Sequence, residues 1–202
     1  MKNKNSILNG LVLTGGKSTR MGYDKSAIKW HGEEQKYYLI KLLQPYCINV
    51  FISCRKGQLQ EKSCLYKSIE DSTEGGALGA IVTAFDYCNT CAWLVVACDL
   101  PFLDDATINY LLKNRNTSSN ATAFISPFDG LPEPLITLWE PGSFNTLVHK
   151  QKEGKTCPRK ALINSKVHLI IPPNPTALTN ANTKDDVKKI NPEIYKMLFD
   201  NL

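Results

Sequence analysis

The sequence predicts a single three-layer α/β/α domain built on a mostly parallel, doubly wound sheet. Three observations carry that expectation. Strand-like apolar runs alternate with helical spacings through the first half of the chain, the order that gives parallel strands joined by crossover helices. The stretch Ala92 to Cys98, AWLVVAC, is apolar throughout, as a central strand covered on both faces must be. With 202 residues, 43% hydrophobic and 21% charged, the chain can bury one sizeable core and is short for two.

Ile7 to Leu13 reads as the first strand and runs directly into the loop LTGGKSTRMGYDK, residues 13 to 25. Glu34 to Tyr46 places Tyr38, Leu39, Leu42 and Leu43 at helical spacing, with Pro45 near its end. Ile48 to Ser53 is a short β-branched and aromatic strand, and Tyr66 to Ile69 is another, stopping at Glu70-Asp71. Gly75 to Tyr87 is helical behind a glycine-rich start. After the central strand, Asp104 to Lys113 forms a helix whose acidic first turn suits the helix dipole. Thr122 to Ser126 and Leu135 to Trp139 read as strands, Phe144 to Lys152 as a helix, and Val167 to Ile171 as a late strand closed by Pro172-Pro173. A last helix starts at Thr183 and is interrupted or restarted at Pro192. No repeat, low-complexity tract or interior linker divides the chain, so one domain is expected over residues 1–202.

A net charge of +5 is modest and does not call for nucleic acid. Its distribution is uneven: Lys150, Lys152, Lys155, Arg159, Lys160 and Lys166 stand against Glu153 alone between Pro141 and Ile170, which suits an anionic ligand. The basic-then-apolar start is broken by Asn9 and Gly10 and shows no cleavage-like site. No apolar stretch approaches the ~20 residues of a membrane span. A cytoplasmic protein with no membrane or nucleic-acid partner is expected. The seven cysteines are odd in number and several lie in apolar runs, so reduced, packed thiols are expected. Cys88-x-x-Cys91 has no second pair to complete a zinc site.

The glycine loop invites comparison with a P-loop, G-x-x-x-x-G-K-[ST]. Counting back from Gly16-Lys17-Ser18, the first glycine would be needed at Leu11, inside the strand, so the pattern fails. Ligands of open α/β sheets bind beyond the C-terminal strand ends. Here those ends carry Thr14-Gly15-Gly16 with Arg20 and Lys25, then Ser53 and Arg55, then Asp71, then Asp99. The chemistry this set suits is transfer at a phosphate. Gly15 and Gly16 let backbone N–H groups approach an anion, Arg20 offers a forked donor, and Lys25 a compact charge. Asp99 is a carboxylate of the kind that anchors Mg²⁺ beside phosphate oxygens. No nucleophile–base pair is evident, and His31, His149 and His168 are scattered structural candidates.

LTGGKSTRMGYDK resembles the L-[AT]-G-G-x-S-x-R-M-G-x-D-K signature of molybdenum cofactor guanylyltransferases, within the nucleotidyltransferases of the GT-A-like, nucleotide-diphospho-sugar transferase fold. IEDSTEGGALGAI, VACDLPFL, EPLITLWEP, GKTCPRKAL and NANTKDDV are similar to further segments of that family in the same order, so the likeness runs along nearly the whole chain. Thr14 stands where alanine is commoner, and Ala77 where proline is usual. The resemblance implies a nucleotide-binding half of about 1–103 and an acceptor-binding half of about 104–202. It implies nucleotide contacts from Leu13, Thr14, Gly15, Gly16, Lys25, Ser53, Asp71, Gly79 and Asp99, with Arg20, Lys25 and Asp99 as catalytic groups. Mg²⁺ would sit on Asp99. Lys155, Arg159, Lys160, Asn180 and Asn182 are the acceptor-side candidates. The substrates implied are GTP and molybdenum-molybdopterin, with transient contact to molybdopterin-synthesis proteins and apo-molybdoenzymes. Thr14-Gly15-Gly16 and Asp24-Lys25 favour GTP over CTP. Rival readings are a cytidylyltransferase of the same cofactor, a sugar-1-phosphate nucleotidyltransferase, and a non-catalytic nucleotide-binding adaptor.

Overall fold

A computed structural model describes residues 6–14, 21–55, 66–71 and 75–200. Seven strands form one sheet: β1 (Leu8–Leu13), β2 (Asn49–Cys54), β3 (Lys67–Glu70), β4 (Ala92–Ala97), β5 (Ala121–Ile125), β6 (Pro132–Trp139) and β7 (Val167–Ile170), in the order β3-β2-β1-β4-β6-β5-β7. All run parallel except β6, which is antiparallel to both β4 and β5. The helices are α1 (Gln35–Leu43), α2 (Gly76–Tyr87), α3 (Asp105–Lys113), α4 (Phe144–Lys152), α5 (Pro158–Ile163), α6 (Lys184–Ile190) and α7 (Pro192–Tyr195).

The apolar run of β4 is explained by the two faces it serves. Leu94 and Val96 join α1 and α3 through Leu39, Leu43 and Ile108, while Trp93 and Val95 join α2 and α4 through Ile81, Phe85 and Leu147. Each fully buried side chain of this size contributes about 1.5–3 kcal/mol. Gly10, which interrupts the apolar run of β1, marks a close approach: a Cβ there would meet Leu43 Cδ1 at 3.1 Å and Cys47 Sγ at 3.3 Å.

A third, smaller cluster decides the shape of the site. Met21 and Ile28, just beyond the glycine loop, pack with Val187 and Ile194 of α6 and α7, and Tyr23, Trp30 and Tyr195 border them. The last helices therefore fold back onto the first loop. α6 begins with a capping box in which the Thr183 hydroxyl accepts from Asp186 N–H, and the Asp186 carboxylate accepts from Thr183 N–H at 2.9 Å.

The cysteines depart from the expectation of free thiols throughout. Cys88 and Cys91 form a disulfide at the C-terminal end of α2, where the chain turns back into β4 within bonding reach. Cys47, Cys54 and Cys98 are free and at least partly buried, and burial pushes the Cys47 thiol up to about 12. Cys157 is free and exposed. No helix among the described residues is long and apolar enough to cross a membrane.

Candidate active site

The C-terminal edge of the parallel strands collects the expected polar groups in two neighbouring sets. The first runs across β1, β2 and β3. The Thr14 hydroxyl donates to the Ser53 carbonyl at 2.6 Å, and the Ser53 hydroxyl donates to Asp71 Oδ1 at 2.7 Å. Burial raises the Asp71 carboxyl; the Ser53 hydrogen bond and the Arg55 charge pull it partly back. Leu13 is packed in the core and its carbonyl accepts from Cys98 N–H.

The second set is built around Asp99 at the end of β4. The loop it begins is pinned by α1 and the turn before it: Gln35 Nε2 donates to the Leu100 carbonyl at 3.0 Å, Tyr38 hydroxyl to the Leu103 carbonyl at 3.1 Å, and His31 Nε2 to the Pro101 carbonyl at 2.9 Å. His31 also stacks on Tyr38, which bears out its structural reading. Asp99 Oδ1 is buried and has no hydrogen-bond partner among the described residues; Asn180 Oδ1 is in the same condition. The two segments meet at the backbone, where Ala181 N–H donates to the Asp99 carbonyl at 2.8 Å. Burial drives the Asp99 carboxyl upward and the Lys25 charge opposes it.

Lys25 reaches this place through local structure legible in its neighbours. Gly22 takes a left-handed φ of 67°, and Asp24 caps a 3₁₀ turn over Lys25–Ala27 by accepting from Ser26 N–H at 2.9 Å. Lys25 Nζ then donates to Asn182 Oδ1 at 2.6 Å across 157 residues of sequence. Asn182 is fixed in turn by Asp186, whose carboxylate accepts its N–H at 2.9 Å. Asn180 and Asn182, expected on the acceptor side, thus stand beside Asp99 and Lys25.

Gly79 lies in the first turn of α2, where its N–H is taken by the Gly75 carbonyl at 3.1 Å, so it is part of a helix rather than an open loop. Gly75 itself has no room for a side chain, since a Cβ would come within 3.0 Å of Gly79 Cα. Gly15, Gly16 and Arg20 lie outside the described residues. Arg159 is placed at the site's margin, where Nη1 meets Asp129 and Nη2 meets Glu133. Lys155 and Lys160 are exposed and are not drawn into the cluster.

Glu133 is the residue that sequence reasoning passed over. It is 2% exposed and near enough to Asp99 for the two charges to interact. Burial raises its carboxyl, Arg159 and the Leu135 N–H lower it, and the Asp99 charge raises it again. The signal is Pro132-Glu133-Pro134, a charged residue between prolines just before the strand expected from Leu135 to Trp139. No cluster of three or more His, Cys, Asp or Glu residues able to hold a metal occurs among the described residues. A hard cation that keeps most of its waters and uses substrate phosphates needs only one or two carboxylates. The orphaned Asp99 oxygen fits that kind of ion.

The fold and the sequence have counterparts among known proteins. The model of the MobA-like NTP transferase domain family matches residues 10–167. A molybdenum cofactor biosynthesis bifunctional protein of Synechocystis is 33% identical over 186 residues, covering 91% of this chain; the chain spans 54% of that protein. A probable molybdenum cofactor guanylyltransferase of Clostridium perfringens is 31% identical over 164 residues, covering 79% of this chain and 73% of its own. The crystal structure of molybdopterin-guanine dinucleotide biosynthesis protein A from Archaeoglobus fulgidus superposes with a TM-score of 0.76 at 21% identity, covering 94% of this chain and all of that one. A 2-C-methyl-D-erythritol 4-phosphate cytidylyltransferase from Thermus thermophilus shares the fold with a TM-score of 0.66 at 12% identity.

Proposed function

The chain belongs to the MobA-like NTP transferase family, and on that premise we propose that it transfers GMP from GTP to the terminal phosphate of molybdenum-molybdopterin. The products are molybdopterin guanine dinucleotide cofactor and pyrophosphate. The observation that carries this reading is the convergence of Lys25, Asp99, Asn180 and Asn182 at one strand end, with the buried Asp99 Oδ1 meeting no hydrogen-bond donor among the described residues.

The acceptor phosphate is already anionic and attacks the α-phosphorus of GTP without a general base; the bond to the β-phosphate oxygen breaks and pyrophosphate leaves. Lys25 is held by Asn182 where it can meet the triphosphate, so its charge is in place before the reaction begins. The loop carrying Asp99 is fixed by Gln35, Tyr38 and His31, which keeps the carboxylate from turning away. Asp99 would hold Mg²⁺, which when bound neutralises charge on the triphosphate and the leaving pyrophosphate. Thr14, Ser53 and Asp71 supply the polar line on which the nucleoside rests, and Gly15, Gly16 and Arg20 complete the phosphate loop. Arg159, with Lys155 and Lys160 nearby as counter-charge, serves the acceptor. Transient contact with molybdopterin-synthesis proteins and apo-molybdoenzymes, in the cytoplasm, follows from a labile product.

The test is pyrophosphate release by the purified protein with Mg²⁺ and molybdate-loaded molybdopterin, comparing GTP, CTP and ATP. Release with GTP is expected. Release with CTP alone would move the enzyme to the cytidylyl branch, and tight GTP binding without release would revive the adaptor reading.

A further inference from the structure

Arg159 stands between two carboxylates of different character. Glu133 is buried at the start of β6, near enough to Asp99 for the two charges to interact, with Oε2 3.4 Å from Arg159 Nη2. The Leu135 N–H bonds to its carboxylate and the Thr137 hydroxyl to its carbonyl at 2.6 Å, so both its side chain and its backbone are fixed. Asp129 lies on the turn between β5 and β6, its side chain 41% exposed, with Oδ2 2.5 Å from Arg159 Nη1. Its other oxygen accepts from Leu131 N–H on the same turn at 3.1 Å, and the Ser126 hydroxyl also bonds to the carboxylate. A phosphate and a carboxylate occupy a guanidinium fork in the same way, and an exposed pair is the cheaper of the two to break.

We propose that Asp129 occupies on Arg159 the place that the phosphate of the acceptor takes, and that Glu133 is a positioning residue which holds the guanidinium in place during that exchange. The proposal rests on the transferase reading above, which supplies the phosphate-bearing acceptor. Its consequence is a division of labour. With both carboxylates in place, the single positive charge of Arg159 is more than offset, so it does not compete with Lys25 for the nucleotide triphosphate. When the acceptor arrives, the exposed Asp129 leaves Nη1 and the buried Glu133 stays on Nη2, so the phosphate is taken on the exposed side of the fork while the guanidinium keeps its place.

The experiment titrates the whole protein with inorganic phosphate and follows the Arg159 Nε–Hε resonance by NMR, in wild type and in Asp129→Asn, Glu133→Gln and Arg159→Lys. Phosphate should move the resonance in wild type and bind about two- to five-fold more tightly once the competing exposed carboxylate is neutral. Glu133→Gln should weaken phosphate about tenfold or more, because a buried partner of the charge is lost. Arg159→Lys keeps the charge without the fork and should also weaken it, measured by calorimetry, with thermal melts confirming folding in each case. An unmoved Arg159 resonance in wild type, or changes in the same direction for Asp129→Asn and Glu133→Gln, overturns the proposal. In turnover assays the same opposite signs should appear in KM for the acceptor with KM for GTP unchanged. Absence of pyrophosphate release with any nucleotide, alongside an intact phosphate response, would instead count against the transferase reading.

Discussion

β6 carries a buried carboxylate near each of its ends, and the fold treats the two in opposite ways. Just past its last residue, Glu140 is 3% exposed and fully engaged: Arg115 Nε donates to Oε1 at 2.7 Å, Arg115 Nη2 to Oε2 at 2.9 Å, and the Ser6 hydroxyl to Oε2 at 3.2 Å. At its beginning, Glu133 has a long 3.4 Å contact to Arg159, and Asp99 near it keeps an oxygen with no donor among the described residues. Both ends are equally dry, so burial alone does not explain the difference. Charge that serves only the fold is closed off by a fixed partner, whereas charge held for an outside group is left open at a cost in stability.

The sharpest break of this comparison is Asp99→Asn. Turnover should fall by about 100-fold or more, as when a group stabilising transition-state charge is removed. The ligand-free variant should nevertheless melt higher than wild type, because a buried and incompletely paired charge is gone. A variant with wild-type turnover, or one that melts lower, would remove Asp99 from the open edge. Next in size is the closed edge. Arg115→Ala should cost about 3–5 kcal/mol of unfolding free energy by stranding Glu140, while KM for GTP stays at the wild-type value in the protein that remains folded. A change in KM without loss of stability would show that the two edges are not separate.

A third prediction concerns the link between distant segments. Asn182→Ala removes the acceptor of the Lys25 ammonium, worth about 1.5 kcal/mol, so KM for GTP should rise about tenfold. Asp186→Asn should produce a smaller rise, since Asn182 keeps its side chain and loses only part of its backbone hold. Equal effects from both, or none from Asn182→Ala in a steady-state assay, would assign the Lys25 contact to packing.

How much of this could be read from the sequence follows the same division. The strands and most helices were legible because each has its own local signal: apolar alternation, helical spacing, and prolines at Pro172 and Pro192. Asp99 was legible because it directly follows an unbroken apolar strand. Lys25 and Asn182 were not linked by any spacing, since their meeting depends on Met21, Ile28, Val187 and Ile194 burying one another across the length of the chain. Resemblance named both residues, but it assigned Asn182 to the acceptor and could not supply the contact. Glu133 was hidden because the sequence places the strand from Leu135, after the prolines; Pro132 is the first residue of β6, and the pairing with β5 shifts register there, between Ala123 and Ile125. The Cys88–Cys91 disulfide escaped because neighbouring pairs were weighed as metal ligands, and only the turn between α2 and β4 brings the two sulfurs together.

The open edge should also be visible as a dependence on pH. Asp71, Asp99 and Glu133 all have folded-state carboxyls raised by burial. Between an unfolded value of about 4 and the raised folded values, the folded state binds more protons, so stability falls as pH rises through that interval. Chemical unfolding followed from pH 4 upward should show this slope in wild type. Asp99→Asn should flatten it, and a slope of the opposite sign would mean that these carboxylates are paired in the folded state.

The smallest effect tests the first polar set, on β1 to β3. Ser53→Ala leaves Asp71 without its hydroxyl donor and leaves the Thr14–Ser53 carbonyl bond intact. The loss is one hydrogen bond to a carboxylate that is only partly enclosed, about 1–2 kcal/mol, which raises the Asp71 carboxyl further. A nucleoside contact made by ionised Asp71 should then be weaker at low pH and recover as the pH is raised, whereas a purely steric role for Ser53 would give a pH-independent change. Calorimetric titration of GTP from low pH up to pH 8 separates the two. Recovery at pH 8 places Asp71 with the open carboxylates of the strand edge; a constant deficit places Ser53 and Asp71 with Glu140, as part of the frame.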